Sequence, residues 1–249
     1  MRKFGLIGYP LGHSFSKAYF SKKFEDENIS DCEYNNYPIE HISDILKLIA
    51  DQPHLVGVNV TIPYKQQILQ YLDEIDSDAV EIGAVNTIKI NRKNGVASLK
   101  GYNTDVYGFA EPLKKVLAPS HKKALILGTG GASKAVAWVL KNLKIDFLFV
   151  SRNSQNNNCI GYNNVTEQLI RENTVIINTS PVGMYPDIDN APEIPYDAIS
   201  EEHILYDLIY NPEETLFLKK GAKKKAITIN GLPMLYLQAE MAWKIWNMD

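Results

Sequence analysis

Cysteine is scarce. The 249 residues contain two, Cys32 and Cys159, and neither has a second Cys or a His at metal-ligand spacing. That excludes a disulfide framework and a structural zinc site and leaves two ordinary thiols, with no metal expected. Long apolar runs are missing too: no stretch approaches the roughly 20 residues that a membrane-spanning helix needs. The opening segment is basic and then apolar, but it stops at Gly8-Tyr9-Pro10, too soon for a signal-peptide core. The cytoplasm is the expected location, with no membrane partner. An excess of one charge is also absent. The balance of 26 basic against 29 acidic side chains gives a net charge of −3, which offers no bulk attraction to nucleic acid.

What is present is an ordinary globular composition, 45% apolar and 22% charged, long enough for one large or two modest domains. In the first half, 4–7 and 34–38 read as strands and 16–27 as a helix. The Ile42, Ile45, Leu46 and Ile49 spacing marks another helix. A branched-rich strand at 55–62 is stopped by Pro63. Residues 65–72 look helical, 83–90 strand-like, and 95–100 is a hairpin partner after Lys93-Asn94-Gly95. In the second half, strands at 124–127, 147–150, 174–178, 204–208 and 226–229 alternate with helical texture, which argues for a parallel sheet. The Asn/Gln/Ser-rich stretch 153–164 is expected to be a surface loop. The Lys219–Lys225 cluster suits a solvated helix end before a strand. The tail from Met234 to Trp246 reads as a helix apolar on one face. The fold class is α/β in two domains, dividing near 101–106.

Gly128-Thr129-Gly130-Gly131-Ala132-Ser133 follows the strand at 124–127 directly and opens a helix. That context suits a Rossmann-type dinucleotide site. Gly128 permits the tight turn, and Gly130 lets backbone approach a pyrophosphate. Gly131 and Ala132 start a helix whose free amides face the anion, and Ser133 is small enough for close packing. At the end of the next strand stand Ser151 and Arg152, with no acid to bind ribose hydroxyls. Asp146 precedes that strand and so lies at its wrong end. A guanidinium can bind a 2′-phosphate that a carboxylate would repel, so NADP(H) is the expected cofactor.

The first half also carries Gly8-Tyr9-Pro10-Leu11-Gly12-His13-Ser14-Phe15-Ser16, Asn59-Val60-Thr61-Ile62-Pro63-Tyr64-Lys65, Gly83-Ala84-Val85-Asn86-Thr87 and Gly101-Tyr102-Asn103-Thr104-Asp105. Further on come Asn178-Thr179-Ser180-Pro181-Val182-Gly183-Met184, Tyr210-Asn211-Pro212 with Thr215, and Gly231-Leu232-Pro233-Met234-Leu235 with Gln238. In this order and over nearly the whole chain, the set resembles the shikimate dehydrogenase family. That resemblance implies NADP-linked interconversion of 3-dehydroshikimate and shikimate in aromatic amino acid biosynthesis. It also implies an N-terminal α/β substrate domain, 1–101 plus 232–249, and a Rossmann-type domain, 102–231. The matching serines of the family, Ser14 and Ser16 here, hold the substrate carboxylate with help at Thr61. Asn86, Asn103 and Gln238 resemble the amides that read the ring hydroxyls, and Tyr210 falls in the same substrate set. Thr179 and Gly231 are implied as cofactor contacts beside Ser151 and Arg152. NADP-preferring members often carry a further basic residue a few positions past Arg152. This chain has Gln155, Asn156, Asn157 and Asn158 there, so the expected NADP preference is modest.

Ketone reduction needs a proton for the forming alkoxide as well as a hydride. Lys65 follows a strand end and Asp105 a turn near the domain junction, so both are expected to face an interdomain cleft as the acid–base pair. A protonated lysine also stabilises developing negative charge, and Asp105 can hold it in place and accept a bond from a substrate hydroxyl. Which of the two carries the moving proton is left open by the sequence, as is the choice between monomer and homodimer. Two other readings remain: an NAD-dependent quinate/shikimate dehydrogenase, and a non-catalytic nucleotide-dependent binding protein of the same fold. Retention of both Lys65 and Asp105 argues against the second, since a pure binder needs no proton donor.

Overall fold

The computed structural model describes residues 1–12, 14–152 and 158–248. The chain divides into two units, one of Met1–Thr104 together with the chain from Ala239 on, the other of Asp105–Gln238. In the first unit, β1 (Arg2–Gly8), α1 (Phe15–Asp26), β2 (Cys32–Pro38), α2 (Asp44–Asp51), β3 (Leu55–Val60), β4 (Glu74–Ile75), α3 (Ser77–Ile82), β5 (Thr87–Lys93) and β6 (Val96–Tyr102) follow in order. The strands form one mixed sheet, β2-β1-β3-β5-β6-β4. Here β1 runs parallel to β2 and β3, whereas β5 is antiparallel to both β3 and β6. The β5–β6 hairpin turns on Asn94 at φ 53° and Gly95 at φ 81°, the paired left-handed geometry that suits a twisted two-residue connection.

Alternation along β1 sends Phe4 and Leu6 into one apolar cluster and Ile7 into another. The first cluster joins Phe20 and Phe24 of α1 to the final turns of the C-terminal helix, where Phe4 stacks on Trp246 at 4.9 Å. Gly57 lies against the Trp246 indole, where a Cβ would collide. On the other side, Ile45 and Ile49 of α2 pack with Val58, Ile68 and Ile88. Two sequence expectations need correcting here. The segment 65–72 is a short 3-10 turn, Gln67–Tyr71, and not an α-helix. The strand expected from Gly83 begins at Thr87, because Gly83 at φ 69° terminates α3, a helix with too few apolar positions to register as periodic.

The second unit contains α4 (Asp105–Lys114), β7 (Lys123–Leu127), α5 (Gly131–Asn142), β8 (Asp146–Val150), β9 (Cys159–Ile160), α6 (Glu167–Glu172), β10 (Val175–Asn178), β11 (Ile204–Asp207), α7 (Leu216–Lys223), β12 (Ile227–Ile229) and the start of α8 (Leu232–Trp246). Its sheet is parallel throughout, in the order β12-β11-β10-β7-β8-β9. Strand order reverses between β7 and β10, as in doubly wound nucleotide folds. Leu125 and Ile176 face one apolar cluster, and Ile126 and Ile177 the other. Burial on both faces is why these strands read as continuous apolar runs.

The stretch 153–164 is not all loop. Cys159 and Ile160 add a parallel edge strand to β8, and 162–164 form a 3-10 turn, while 153–157 lie outside the described residues. A two-residue strand recruited by its neighbour leaves no period to read. Lys220 and Lys223 close α7, and Lys220 sits 4.4 Å from the Tyr196 ring centroid, an ordinary helix end. The units divide at Thr104/Asp105, within the expected 101–106, and at Gln238/Ala239. The first turns of α8 belong to the second unit because Met234 is in its core, and Gly108 of α4 packs against the Met234 carbonyl.

Candidate active site

In the first unit, strand register gathers most of the expected substrate residues at one end of the sheet. Ile7 pairs with Val60, Asn59 with Thr87, and Thr87 with Tyr102. The carboxyl ends of β1 and β3 therefore lie beside the start of β5 and the end of β6. Thr61 follows β3 directly, its amide bonding to the Ile7 carbonyl at 2.9 Å, and a Cβ at Gly8 would strike its methyl group. Lys65 is half-buried on the turn that follows, and its carbonyl accepts from Val85 N at 2.7 Å. Ser14 is the N-cap of α1, its Oγ accepting from Lys17 N at 3.2 Å. Ser16 lies in the first turn of the same helix. Two hydroxyls and a helix N-terminus suit an anionic oxygen pair.

Asn86 is buried, and its Oδ1 accepts from Thr104 N at 2.8 Å, Thr104 Oγ1 at 3.2 Å and Thr87 Oγ1 at 3.1 Å. Asn103 Nδ2 donates to the Ala84 carbonyl at 2.9 Å, so this amide braces the turn before β5. Asp105 follows Thr104 as the first residue of α4 and is buried.

In the second unit, Gly128 adopts φ 113°, and a Cβ there would lie 2.9 Å from Thr179 Oγ1. Thr179 in turn bonds back to the Leu127 carbonyl through both its amide, at 2.9 Å, and its hydroxyl, at 3.0 Å. Gly130 is the N-cap of α5, and neither it nor Gly131 has an atom within 4 Å of an added Cβ. That open cradle before a helix N-terminus fits a pyrophosphate. Ala132 is half-buried on the first turn. Ser133 Oγ donates to the Gly130 carbonyl at 2.6 Å, so the buried side chain reinforces the turn. Ser151 N bonds Ile160 O at 2.9 Å, which places Arg152 at the end of β8, exposed. Its charge is near Tyr162: burial raises the pKa of that hydroxyl, and Arg152 pulls it the other way. Gln155, Asn156 and Asn157, like His13, lie outside the described residues.

At the ends of β10 and β11, Asn178 pairs with Asp207. The Asp207 carboxylate is fully buried and accepts from Thr215 Oγ1 at 2.6 Å, Ile209 N at 3.0 Å and Asn178 Nδ2 at 3.0 Å. Burial outweighs these three bonds and pushes its pKa up to about 6. The Asn178 Oδ1 holds Ser180 through its amide at 3.1 Å and its hydroxyl at 2.7 Å. This cluster shapes the loops that carry Thr179 and Tyr210. Tyr210 is exposed, and Gln238 is half-buried on α8. Gly231 N bonds the Ile209 carbonyl at 2.9 Å, and a Cβ there would strike Leu208 backbone, so only glycine fits.

A family model described as the shikimate dehydrogenase substrate binding domain matches residues 6–88. The shikimate dehydrogenase (NADP(+)) of Methanosphaera stadtmanae is 40% identical over 261 residues, covering 98% of this chain and 90% of its own. The chain belongs to the shikimate dehydrogenase family. Its counterpart in Halothermothrix orenii is likewise 40% identical, over 98% of this chain and 90% of its own. The solved structure of shikimate 5-dehydrogenase from Thermus thermophilus in complex with NADP(H) and shikimate is 30% identical. It superposes with a TM-score of 0.85 over 99% of this chain and 94% of its own.

Sequence reasoning assigned no role to Tyr34, Asn59, Thr87, Thr104, Asn178, Asp207 or Thr215. A signal existed for two of them: Asn59 stands between Val58 and Val60, and Asp207 ends Ile204-Leu205-Tyr206. A polar residue inside an apolar strand must find a partner when buried.

Proposed function

We propose that the protein is an NADP-dependent shikimate dehydrogenase that reduces 3-dehydroshikimate to shikimate with NADPH. The observation that carries this reading is the gathering of Ser14, Ser16, Thr61, Lys65 and Asn86 around one end of the first unit's sheet. A polyhydroxylated carboxylate needs such a set of hydroxyl and amide donors with a cation. The hydroxyls of Ser14, Ser16 and Thr61 take the carboxylate, and Asn86, Asn103, Gln238 and Tyr210 are assigned to the remaining polar groups of the substrate.

NADPH, when bound, supplies the hydride. Gly128, Gly130, Gly131 and Ala132 leave backbone room for its pyrophosphate. Ser151 and Arg152 meet the 2′-phosphate, and Thr179 and Gly231 shape the remainder of the cradle. As hydride reaches the carbonyl carbon, the oxygen gains negative charge and must take up a proton. Lys65 stabilises that charge and serves with Asp105 as the acid–base pair, Asp105 orienting the ammonium. On this reading the partners are these two small molecules, and the protein works in the cytoplasm as a monomer or homodimer.

Steady-state assays of shikimate or quinate against NADP+ or NAD+ test the assignment. The expected result is the highest kcat/KM for shikimate with NADP+. A preference for quinate with NAD+ would make it a quinate/shikimate dehydrogenase. Binding of nucleotide without turnover of any pair would make it a binding protein.

A further inference from the structure

At the carboxyl ends of β10 and β11 a fully buried carboxylate is held by three neutral donors. Asp207 Oδ1 accepts from Ile209 N and from Asn178 Nδ2, both at 3.0 Å, and Oδ2 accepts from Thr215 Oγ1 at 2.6 Å. Asn178 and Thr215 are fully buried as well. A well-packed apolar residue would fill this volume without the cost of desolvating a carboxylate, so packing alone does not call for an acid here. What the acid adds is attachment, since one side chain fixes three separate segments of chain.

Two of those attachments lead to residues assigned to the dinucleotide. The first runs through Asn178. The Val182 carbonyl can only accept and the Ser180 amide can only donate. The Asn178 atom 3.3 Å from Val182 O is therefore the nitrogen, and the atom 3.1 Å from Ser180 N is the oxygen. In that orientation Nδ2 also meets Asp207. Thr179 is thus held on either side, between Asn178 and Ser180, and its amide and hydroxyl both bond the Leu127 carbonyl beside Gly128. The second attachment runs through Ile209, whose amide is fixed by Asp207 and whose carbonyl accepts from Gly231 N at 2.9 Å. Leu208 N joins the two by bonding the Asn178 carbonyl at 3.0 Å.

We infer that Asp207 and Asn178 are positioning residues for the cofactor, a buried anchor that sets the spacing between Thr179 and Gly231 at the ends of β10 and β11. The inference rests on the dinucleotide-binding reading of Thr179 and Gly231. It adds what holds them, and which nucleotides a loss of the anchor affects. A dinucleotide lies across the point where strand order reverses, one half to each side. Arg152 after β8 is assigned to the adenosine half with its 2′-phosphate, so the β10 and β11 side serves the nicotinamide half. Being fully buried, Asp207 acts through the loops it holds rather than by contact with the nucleotide.

Equilibrium titration of NADP+, NAD+ and 2′,5′-ADP tests this on the parent protein and on Asp207→Ala, Asn178→Ala, Asp207→Asn and Gly130→Val, with Tm measured for each. The expected result is that Asp207→Ala and Asn178→Ala raise Kd for NADP+ and NAD+ alike, by about 5- to 10-fold, the share of one buried hydrogen bond. Kd for 2′,5′-ADP, which has no nicotinamide half, should stay within about twofold. Asp207→Asn keeps an oxygen for Ile209 and Asn178 and turns its amide to the Thr215 hydroxyl, which can accept, so Kd should recover to within about threefold of the parent. Asn178→Ala spares the carboxylate's bonds to Thr215 and Ile209, which keeps the test available if Asp207→Ala does not fold. A role in stability alone would lower Tm and leave every Kd unchanged. That outcome, equal weakening of 2′,5′-ADP, a loss confined to NADP+, or no recovery in Asp207→Asn would overturn the positioning role. Gly130→Val fills the open cradle before α5, and unchanged NADP+ binding in that variant would reject the dinucleotide reading of this unit and the inference with it.

Discussion

Lys65 and Arg152 each answer for one chemical requirement of the proposed reaction. In that proposal Lys65, half-buried after β3, is assigned to meet the charge that develops on the substrate oxygen. Its interaction strengthens only as the transition state forms, so Lys65→Ala should lower kcat by about 10²–10⁴-fold and change KM for shikimate far less. A raised KM at full kcat would reassign the lysine to binding. Arg152, exposed at the end of β8, has no acidic residue next to it in the sequence. Titration of nucleotide binding should show Arg152→Ala weakening NADPH about 10- to 100-fold, with NADH nearly unchanged. The difference should shrink at high salt, because the contact is electrostatic and open to solvent. Equal weakening of both cofactors would assign Arg152 to adenine stacking or to the fold.

Among the elements, β10 and β11 show how a buried charge organises loops. Asp207 binds Thr215, Ile209 and Asn178, and through them the segments that follow both strands. Its pKa, up to about 6, stands above the ordinary Asp value, chiefly through burial. The native state then holds a proton that the unfolded chain has already released over roughly pH 4 to 6. Its contribution to stability is therefore full below about pH 4, falls as pH rises towards 6, and is flat above. Urea midpoints measured across that range should show the decline in the parent protein and a shallower one in Asp207→Asn. An identical slope in both would mean that Asp207 does not titrate there.

For the whole molecule, the chain's final segment is what completes the first unit. Ala239, Ala242, Ile245 and Trp246 share a cluster with Phe4, Phe20 and Tyr34. Trp246 Nε1 donates to the Ile88 carbonyl at 3.0 Å, and its ring occupies the space over Gly57. Lys23 of α1 also reaches Glu240 at 2.9 Å. Trp246→Ala would empty the centre of that cluster and remove the bond to the Ile88 carbonyl, so it should cost about 3–5 kcal/mol in urea unfolding. A loss below 1 kcal/mol would mean that the cluster repacks without it.

The local elements were legible where local chemistry sufficed. β7, its glycine turn and the start of α5 could be read from ten consecutive residues, Ala124 to Ser133, because strand period, φ requirement and helix start are all near-neighbour effects. The same holds for the β5–β6 hairpin, α2 and the ordered motifs that carry Ser14, Thr61, Lys65 and Asn86. β9 and α3 escaped, being too short for a period, and β9 exists only because β8 offers it an edge. Sheet order, the passage of α8 from the second unit to the first, the burial of Asp207 and the hydrogen bonds of Asn59 to Tyr34 and Thr87 were decided by tertiary structure. Asn59 lies 25 residues from Tyr34 and 28 from Thr87. No local pattern encodes a bond across such a span, because its partners meet only after the strands between them have paired in register.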